Sequence, residues 1–364
     1  MSATLAAPRL AVVGTGWWAT QFLIPGLLRY RGAQLVALGD SDPRRLAAAG
    51  EAFGIAQLFD DIEDLITKVP LDGVVVATSN AAHYGVARTA LESGLHVMIE
   101  KPMVLHAWQA WDLVERARRH HVQLQVGYPA HFDDSARRLR VALHDGAIGE
   151  IAQITGVYSS VAESFYRGRP QDYDLVYHYP VTGPMPASYA DPLVAGGGHG
   201  QIQLTHLVAM MLWATGGRAR EVSAFMESAD LAVDLFDAIA FRLDNAAVGV
   251  IGGGGSHRAG ERCEQRLCYF GRQGYATQDF VDGTVRIVHR DGSLEEVPSS
   301  LDASRRRAST VRGFADLIAG RGPNLAPGEA GAKAVELLEA AYRSAAEGRH
   351  VEVSTLSTPR DRRT

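Results

Sequence analysis

The sequence predicts an α/β domain with a doubly wound parallel sheet, followed by an α+β domain on an open, mainly antiparallel sheet. Three observations predict it. Short apolar runs alternate with helix-like stretches through residue 126. One run, Gly73-Val-Val-Val-Ala77, has no polar face, as strands buried on both sides of a parallel sheet do not. After residue 215 the pattern changes to strand-like runs separated by Gly, Asp and Asn turns.

Leu10-Ala-Val-Val13 is the first strand, closed by Gly14, and helix-like residues run from 17 to 30. Gln34-Leu-Val-Ala-Leu38 is the second strand, ending at Gly39-Asp40. Asp42 then caps a helix through residue 49, with Pro43 at its first position, where a missing N–H costs nothing. A short strand at 57–59 and a short helix at 62–68 lead to the apolar strand at 73–77. A helix at 83–93 stops at Gly94, followed by a strand at 96–100, a helix at 108–120 and a strand at 122–126. Residues 1–127 are therefore read as the first domain and 128–364 as the second. The second opens with a helix at 135–145 and a strand at 151–158. The stretch 161–195 is rich in Tyr, Pro and Gly with little periodicity, which in a compact domain marks a functional loop. An apolar helix at 200–214 precedes strands at 220–227, 238–243, 247–251, 265–270 and 284–289. Helices at 308–319 and 328–346 end the pattern, the last expected to pack back on the first domain. Gly252-Gly-Gly-Gly255 precedes no helix and is read as a flexible turn rather than a phosphate loop.

A chain of 364 residues that is 46% hydrophobic can bury a core without disulfides or a structural metal. Its net charge of −5 argues against a nucleic-acid partner, and Arg305-Arg306-Arg307 is read as a solvated run. Cys263 and Cys268, spaced C-x4-C, suit neither zinc nor a disulfide framework, so a reducing cytoplasm is the expected compartment. No His/Cys/Asp/Glu cluster has ligand spacing, and no metal is expected. No long apolar segment occurs, so neither a signal peptide nor a membrane span is expected.

Gly14-Thr15-Gly16-Trp17-Trp18-Ala19 has the spacing G-x-G-x-x-A between a strand and a helix. The first glycine permits the tight turn, the second lets backbone approach a pyrophosphate, and the small third residue lets helix and strand pack. Asp40 ends the second strand, where an acid accepts from the adenosine ribose hydroxyls and repels a 2′-phosphate. The pattern is that of a Rossmann domain, with NAD preferred to NADP. Arg44 and Arg45 leave room for NADP.

From Glu100-Lys101-Pro102 onward the chain resembles the glucose–fructose oxidoreductase / inositol dehydrogenase / MocA family. Besides the glycine motif and Asp40, the resemblance is carried by Ala77-Thr78-Ser79-Asn80 with His83, Gly127-Tyr128, Gly146-Ala-Ile-Gly149, Gly196-Gly-Gly198 with His206, and Ala340-Ala-Tyr-Arg-Ser344. It implies hydride transfer between the dinucleotide and a carbinol carbon of a sugar, cyclitol or glycoside-like substrate. It also implies a homo-oligomer, dimer or tetramer, formed through the second sheet. Lys101 and His206 take the catalytic positions by this resemblance. Thr78, Asn80, His83, Glu100 and Lys101 itself fall beside the cofactor, with Gly14, Thr15, Gly16, Trp17 and Trp18. Tyr128, His131 and Gln203 are the expected substrate contacts. The resemblance breaks at Ile202, where the family carries Asp one helical turn before the histidine. The base is then His206 alone, Lys101, or a pair completed by Asp191. Tyr166, Tyr173, Tyr177, His178 and Tyr179 suit either a stacked sugar ring or a subunit contact.

Two other functions compete. A glycosidase-type enzyme would keep its NAD and oxidise a sugar transiently, and a non-catalytic family member would keep only the fold.

Overall fold

The computed structural model describes residues 7–169, 172, 178–258 and 260–353. Tyr173 and Tyr177 lie outside the described residues.

The first sheet has six parallel strands: β1 (Arg9–Val13), β2 (Gln34–Gly39), β3 (Leu58–Phe59), β4 (Gly73–Val76), β5 (His96–Ile99) and β6 (Leu124–Val126). Their spatial order, β3-β2-β1-β4-β5-β6, reverses direction between β1 and β4. A crevice opens at such a reversal, at the C-terminal ends of the strands. Alternation along β1 divides the core. Leu10 and Val12 pack on one face with Val75, Met98 and Phe314, while Ala11 and Val13 face Val74, Val76, Val97 and Ile99 on the other. Burying side chains of this kind is worth roughly 1.5–3 kcal/mol each.

The second sheet holds β7 (Ile151–Ser159), β8 (Ala219–Glu227), β9 (Phe236–Leu243), β10 (Val248–Gly254), β11 (Gln265–Gly271), β12 (Gly274–Asp279), β13 (Val285–Val288), β14 (Leu294–Val297) and β15 (Val351–Glu352). Its order is β14-β13-β12-β11-β7-β10-β9-β8-β15. All pairs are antiparallel except β7 with β10. The helix Thr205–Thr215 lies on its inner face, every residue from Leu207 to Ala214 buried. The outer face leaves Phe225, Val248, Val250, Phe270 and Tyr275 exposed.

The glycine run at 252 differs from its expected role. Gly252, Gly253 and Gly254 are strand residues, paired to β7 on one side and β9 on the other. A Cβ on Gly253 would sit 1.8 Å from the Tyr158 carbonyl oxygen, and one on Gly252 would sit 2.3 Å from that of Asp237. The run permits close strand approach, a tertiary demand that strand propensity does not reveal.

Both C-terminal helices reach the first sheet's layer. Ala303–Ile318 brings Val311 and Phe314 onto the β1 face. Gly328–Glu347 packs against Ala107–Arg119 and β8. Buried Glu336 ties these parts together, accepting from Trp111 Nε1 at 2.9 Å and Arg218 Nε at 2.8 Å.

Candidate active site

The turn after β1 is fixed by sterics. Gly14 has φ +98°, and a Cβ there would meet the Ala77 carbonyl at 2.4 Å. Gly16 has nothing within 4 Å of a notional Cβ, so that part of the turn faces open space. The space is a cavity of about 1050 Å³ between the two sheets, lined by Gly14, Gly16, Asp40, Thr78, Asn80, Lys101 and His206 among others. A run of open backbone beside Asp40 fits a dinucleotide, pyrophosphate over the glycines and ribose toward the acid.

Asp40 is nearly buried and well supplied with donors. Thr15 N and Oγ1 reach it at 2.7 Å, Asp42 N at 2.9 Å, and Arg45 through Nε at 2.9 Å and Nη2 at 2.6 Å. Burial raises its pKa, but the Arg45 bond, helped by Asp42 and Thr15, outweighs that and holds the carboxyl below its usual range. Thr15 is turned inward onto Asp40 and does not line the cavity. Trp17 packs into an aromatic cluster, stacked on Phe165 with centroids 5.6 Å apart and with its indole N–H donating to the Tyr189 hydroxyl. Tyr179 meets it edge-on at 6.0 Å. Trp17 thereby joins the dinucleotide turn to the 161–195 stretch. Trp18 lies edge-on to Trp17 and lines the cavity with Glu100.

The ends of β4 and β5 bring polar and titratable groups to the cavity. Asn80 Nδ2 donates to the Ala195 carbonyl at 2.9 Å. His83 is buried with Nδ1 2.9 Å from the Pro102 carbonyl, and burial pushes its pKa down to about 4. Glu100 lies over Gly127, where a Cβ would meet its Oε1 at 2.6 Å; burial raises its pKa to about 7. Lys101, joined to Pro102 by a cis peptide, donates from Nζ to the main-chain oxygen of Ile202 at 3.0 Å. Burial lowers its pKa to about 8, against the charge of Glu100.

Ile202 belongs to Gly200–Leu204, a single wide π-helical turn that opens the helix Thr205–Thr215. Its side chain joins Trp17 in the aromatic cluster, and its carbonyl meets the lysine. His206, one turn later, lines the cavity between Tyr158 and Tyr128, each with its ring centroid 6.1 Å away. Burial, then the charges of Lys101 and His131, keep it neutral well below its ordinary pKa. Gln203 also lines the cavity.

Three expected contacts lie elsewhere. Asp191 caps the short helix Pro192–Ala195 by accepting from Leu193 N at 2.9 Å, and its proline-adjacent position explains why. Tyr128 is buried behind His206, its hydroxyl 2.9 Å from Thr205 Oγ1. His131 is fully buried between Tyr128 and Trp213, with burial pushing its pKa down to about 3. None of the three lines the cavity. Other residues near the site went unforeseen. Tyr158 and Tyr189 line the cavity, and Asp234, Asp237 and Tyr342 lie behind it with His199. Asp237 had a signal: it shares the strand alternation of Ile239, Phe241 and Leu243, all buried.

Family models match both halves of the chain: the oxidoreductase family with an NAD-binding Rossmann fold over residues 8–128, and the Gfo/Idh/MocA C-terminal domain over 136–277. The chain belongs to the Gfo/Idh/MocA oxidoreductase family. It is 32% identical to an inositol 2-dehydrogenase of Corynebacterium glutamicum over 160 residues, 43% of this chain and 48% of that protein. It is 32% identical to a D-glucoside 3-dehydrogenase of Escherichia coli over 151 residues, 41% and 43%. The matched stretches thus span under half the length of these relatives. A levoglucosan dehydrogenase, solved with NADH and levoglucosan, shares the fold at TM-score 0.78 and 17% identity, over 95% of this chain and 99% of the other. Among the described residues, no helix is long and apolar enough to cross a membrane.

Proposed function

We propose that this protein is an NAD-dependent dehydrogenase acting on a carbinol carbon of a sugar, cyclitol or glycoside-like substrate. One observation carries the reading: a buried amine of lowered pKa, Lys101, opens on the same cavity as the glycine turn and Asp40. Oxidising an alcohol requires a hydride to leave carbon and a proton to leave oxygen as the carbonyl forms. The nicotinamide, when bound, supplies the hydride acceptor. Lys101 takes the hydroxyl proton, since an amine titrating near 8 is partly neutral at physiological pH. His206, neutral throughout that range, hydrogen-bonds the same hydroxyl and orients it. Gln203 offers an amide for a neighbouring hydroxyl. The substrate class follows the names of the relatives, inositol 2-dehydrogenase and D-glucoside 3-dehydrogenase. Preference for NAD follows from the Asp40 carboxylate, although Arg45 cancels part of its repulsion of a 2′-phosphate.

The test is a screen of inositols, sugars and glucosides for absorbance change at the nicotinamide band, with NAD and with NADP. Activity that Lys101→Met abolishes supports the reading. Absence of any heat when stripped protein is titrated with either dinucleotide overturns it. Tightly retained NAD(H) with no net release of NADH would favour the redox-assisted glycosidase instead.

The outer face of the second sheet is read as the subunit contact. Phe225, 83% exposed, lies on it with Val250, Phe270 and Tyr275. Light scattering should give a dimer or tetramer that Phe225→Lys weakens; a monomer at tens of micromolar rejects the assignment.

A further inference from the structure

We propose that Asp234 and Tyr342 are positioning residues for Lys101: they hold the wide turn Gly200–Leu204 so that the Ile202 carbonyl, in place of a carboxylate, receives Nζ. The kinetic half of this proposal rests on the reading of Lys101 as the proton acceptor; the structural half does not.

A helix begins with backbone N–H groups that have no partner within it. Here residues 198–201 present four such donors, and two side chains with one carbonyl meet all of them. Asp234 Oδ1 accepts from Gly198 N at 2.7 Å, and Oδ2 accepts from Gly200 N at 2.7 Å. The Asp234 carbonyl accepts from His199 N at 2.9 Å. Tyr342 Oη accepts from Gln201 N at 2.9 Å and donates to Asp234 Oδ1 at 2.7 Å. An anion at a helix start is also favoured by the helix dipole.

The glycine run is cut to this clamp. A Cβ on Gly198 would lie 1.9 Å from the Asp234 carbonyl oxygen. One on Gly197 would lie 2.2 Å from Tyr342 Oη, and one on Gly200 would lie 2.9 Å from the same atom. His199 anchors the segment from behind, with Nδ1 2.8 Å from Asp237 Oδ2 and both side chains buried. Ile202 N bonds back to the Gly198 carbonyl at 2.9 Å, so the clamp fixes the residue whose own oxygen lies 3.0 Å from Lys101 Nζ. The clamp occupies Asp234 and Tyr342, neither of which lines the cavity.

The charge at Lys101 is then set by few groups. Glu100 precedes it in the chain, His83 faces it from the helix Asn80–Glu92, and His206 faces it from the helix Thr205–Thr215. A carbonyl dipole favours the ammonium less than a carboxylate would, which leaves the amine available as an acceptor near neutral pH.

The experiment is competitive acetylation of the cofactor-stripped full chain with acetic anhydride across pH, with Lys101 followed by mass spectrometry. It compares the wild type with Tyr342→Phe and Asp234→Asn. Releasing the clamp withdraws an acceptor from the charged lysine, so its apparent pKa should fall by about one unit, a tenfold change in the protonation equilibrium. The rising limb of the pH–kcat profile should move to lower pH by the same amount, and kcat should fall with KM for the dinucleotide within twofold. If Asp234→Asn does not fold, Tyr342→Phe alone decides. A Lys101 titration unchanged from the wild type overturns the proposal, whatever happens to the melting temperature. A wild type inactive on every polyol would sink the functional reading while leaving the acetylation result to decide this one.

Discussion

The two ends of the cavity are built in opposite ways. At the dinucleotide end the groups come from the turns after two neighbouring strands. Gly14, Thr15 and Gly16 follow β1, and Asp40 with Arg45 follows β2. At the end where the proposed reaction takes place Lys101 meets Ile202, whose turn is held by Asp234 and Tyr342, residues separated by tens to hundreds of positions. A short motif marks the first end, although its turn closes against Ala77 and Thr15 reaches Asp40, 25 positions on. The second end exists only once the two sheets and the C-terminal helix have packed.

That contrast explains what the sequence could disclose. The alternation of elements, the glycine turn and Asp40 are readable because each carries a short-range signature: a residue period, glycines after a strand, and an acid at a strand end. Lys101 and His206 came through family resemblance, and both line the cavity. Asp191 and His131 show the limit. A carboxylate before proline reads equally as a cap or as a partner for a base, and only the fold shows that Leu193 N claims it. His131 is polar and sits near the end of β6, yet it turns into the core against Trp213. The clamp at Asp234 was invisible for the same reason. Its ligands are backbone N–H groups, which carry no residue signature.

The largest expected effect breaks the reacting end alone. Lys101→Met should lower kcat by about a thousandfold or more, in the range for removing a positioned proton acceptor and its orientation. Dinucleotide affinity, measured by calorimetry, should stay within a few-fold. If affinity collapsed as well, the two ends would be one unit and the contrast would be wrong.

Gly14→Ala attacks the other end. The added Cβ meets the Ala77 carbonyl at 2.4 Å, at a φ of +98° that side chains avoid. A strained backbone of this kind costs on the order of 1–3 kcal/mol, with the clash added. Dinucleotide affinity should fall by about a hundredfold, while Lys101 keeps its titration near 8. A Lys101 titration that moved in this variant would show that the turn shapes the reacting end too.

The smallest effect separates the histidine in the cavity from the one in the core. His131 is buried with a folded pKa of about 3, against an ordinary value of 6.5. The folded pKa is depressed, so its contribution is fully present above pH 6.5 and is lost as pH falls toward 3, because the unfolded chain takes up a proton that the fold refuses. By pH 5 the loss is about 2 kcal/mol. His131→Phe keeps a flat ring between Tyr128 and Trp213 and removes that proton uptake. Its melting temperature should therefore fall less than the wild type's between pH 7.5 and pH 5, by a few degrees, while the pH dependence of activity is unchanged. His83 and His199 titrate in the same direction in both proteins, so the difference between the two curves isolates His131. Parallel melting curves would mean that His131 takes up its proton in the folded state, which requires a polar surrounding and would return it to the cavity.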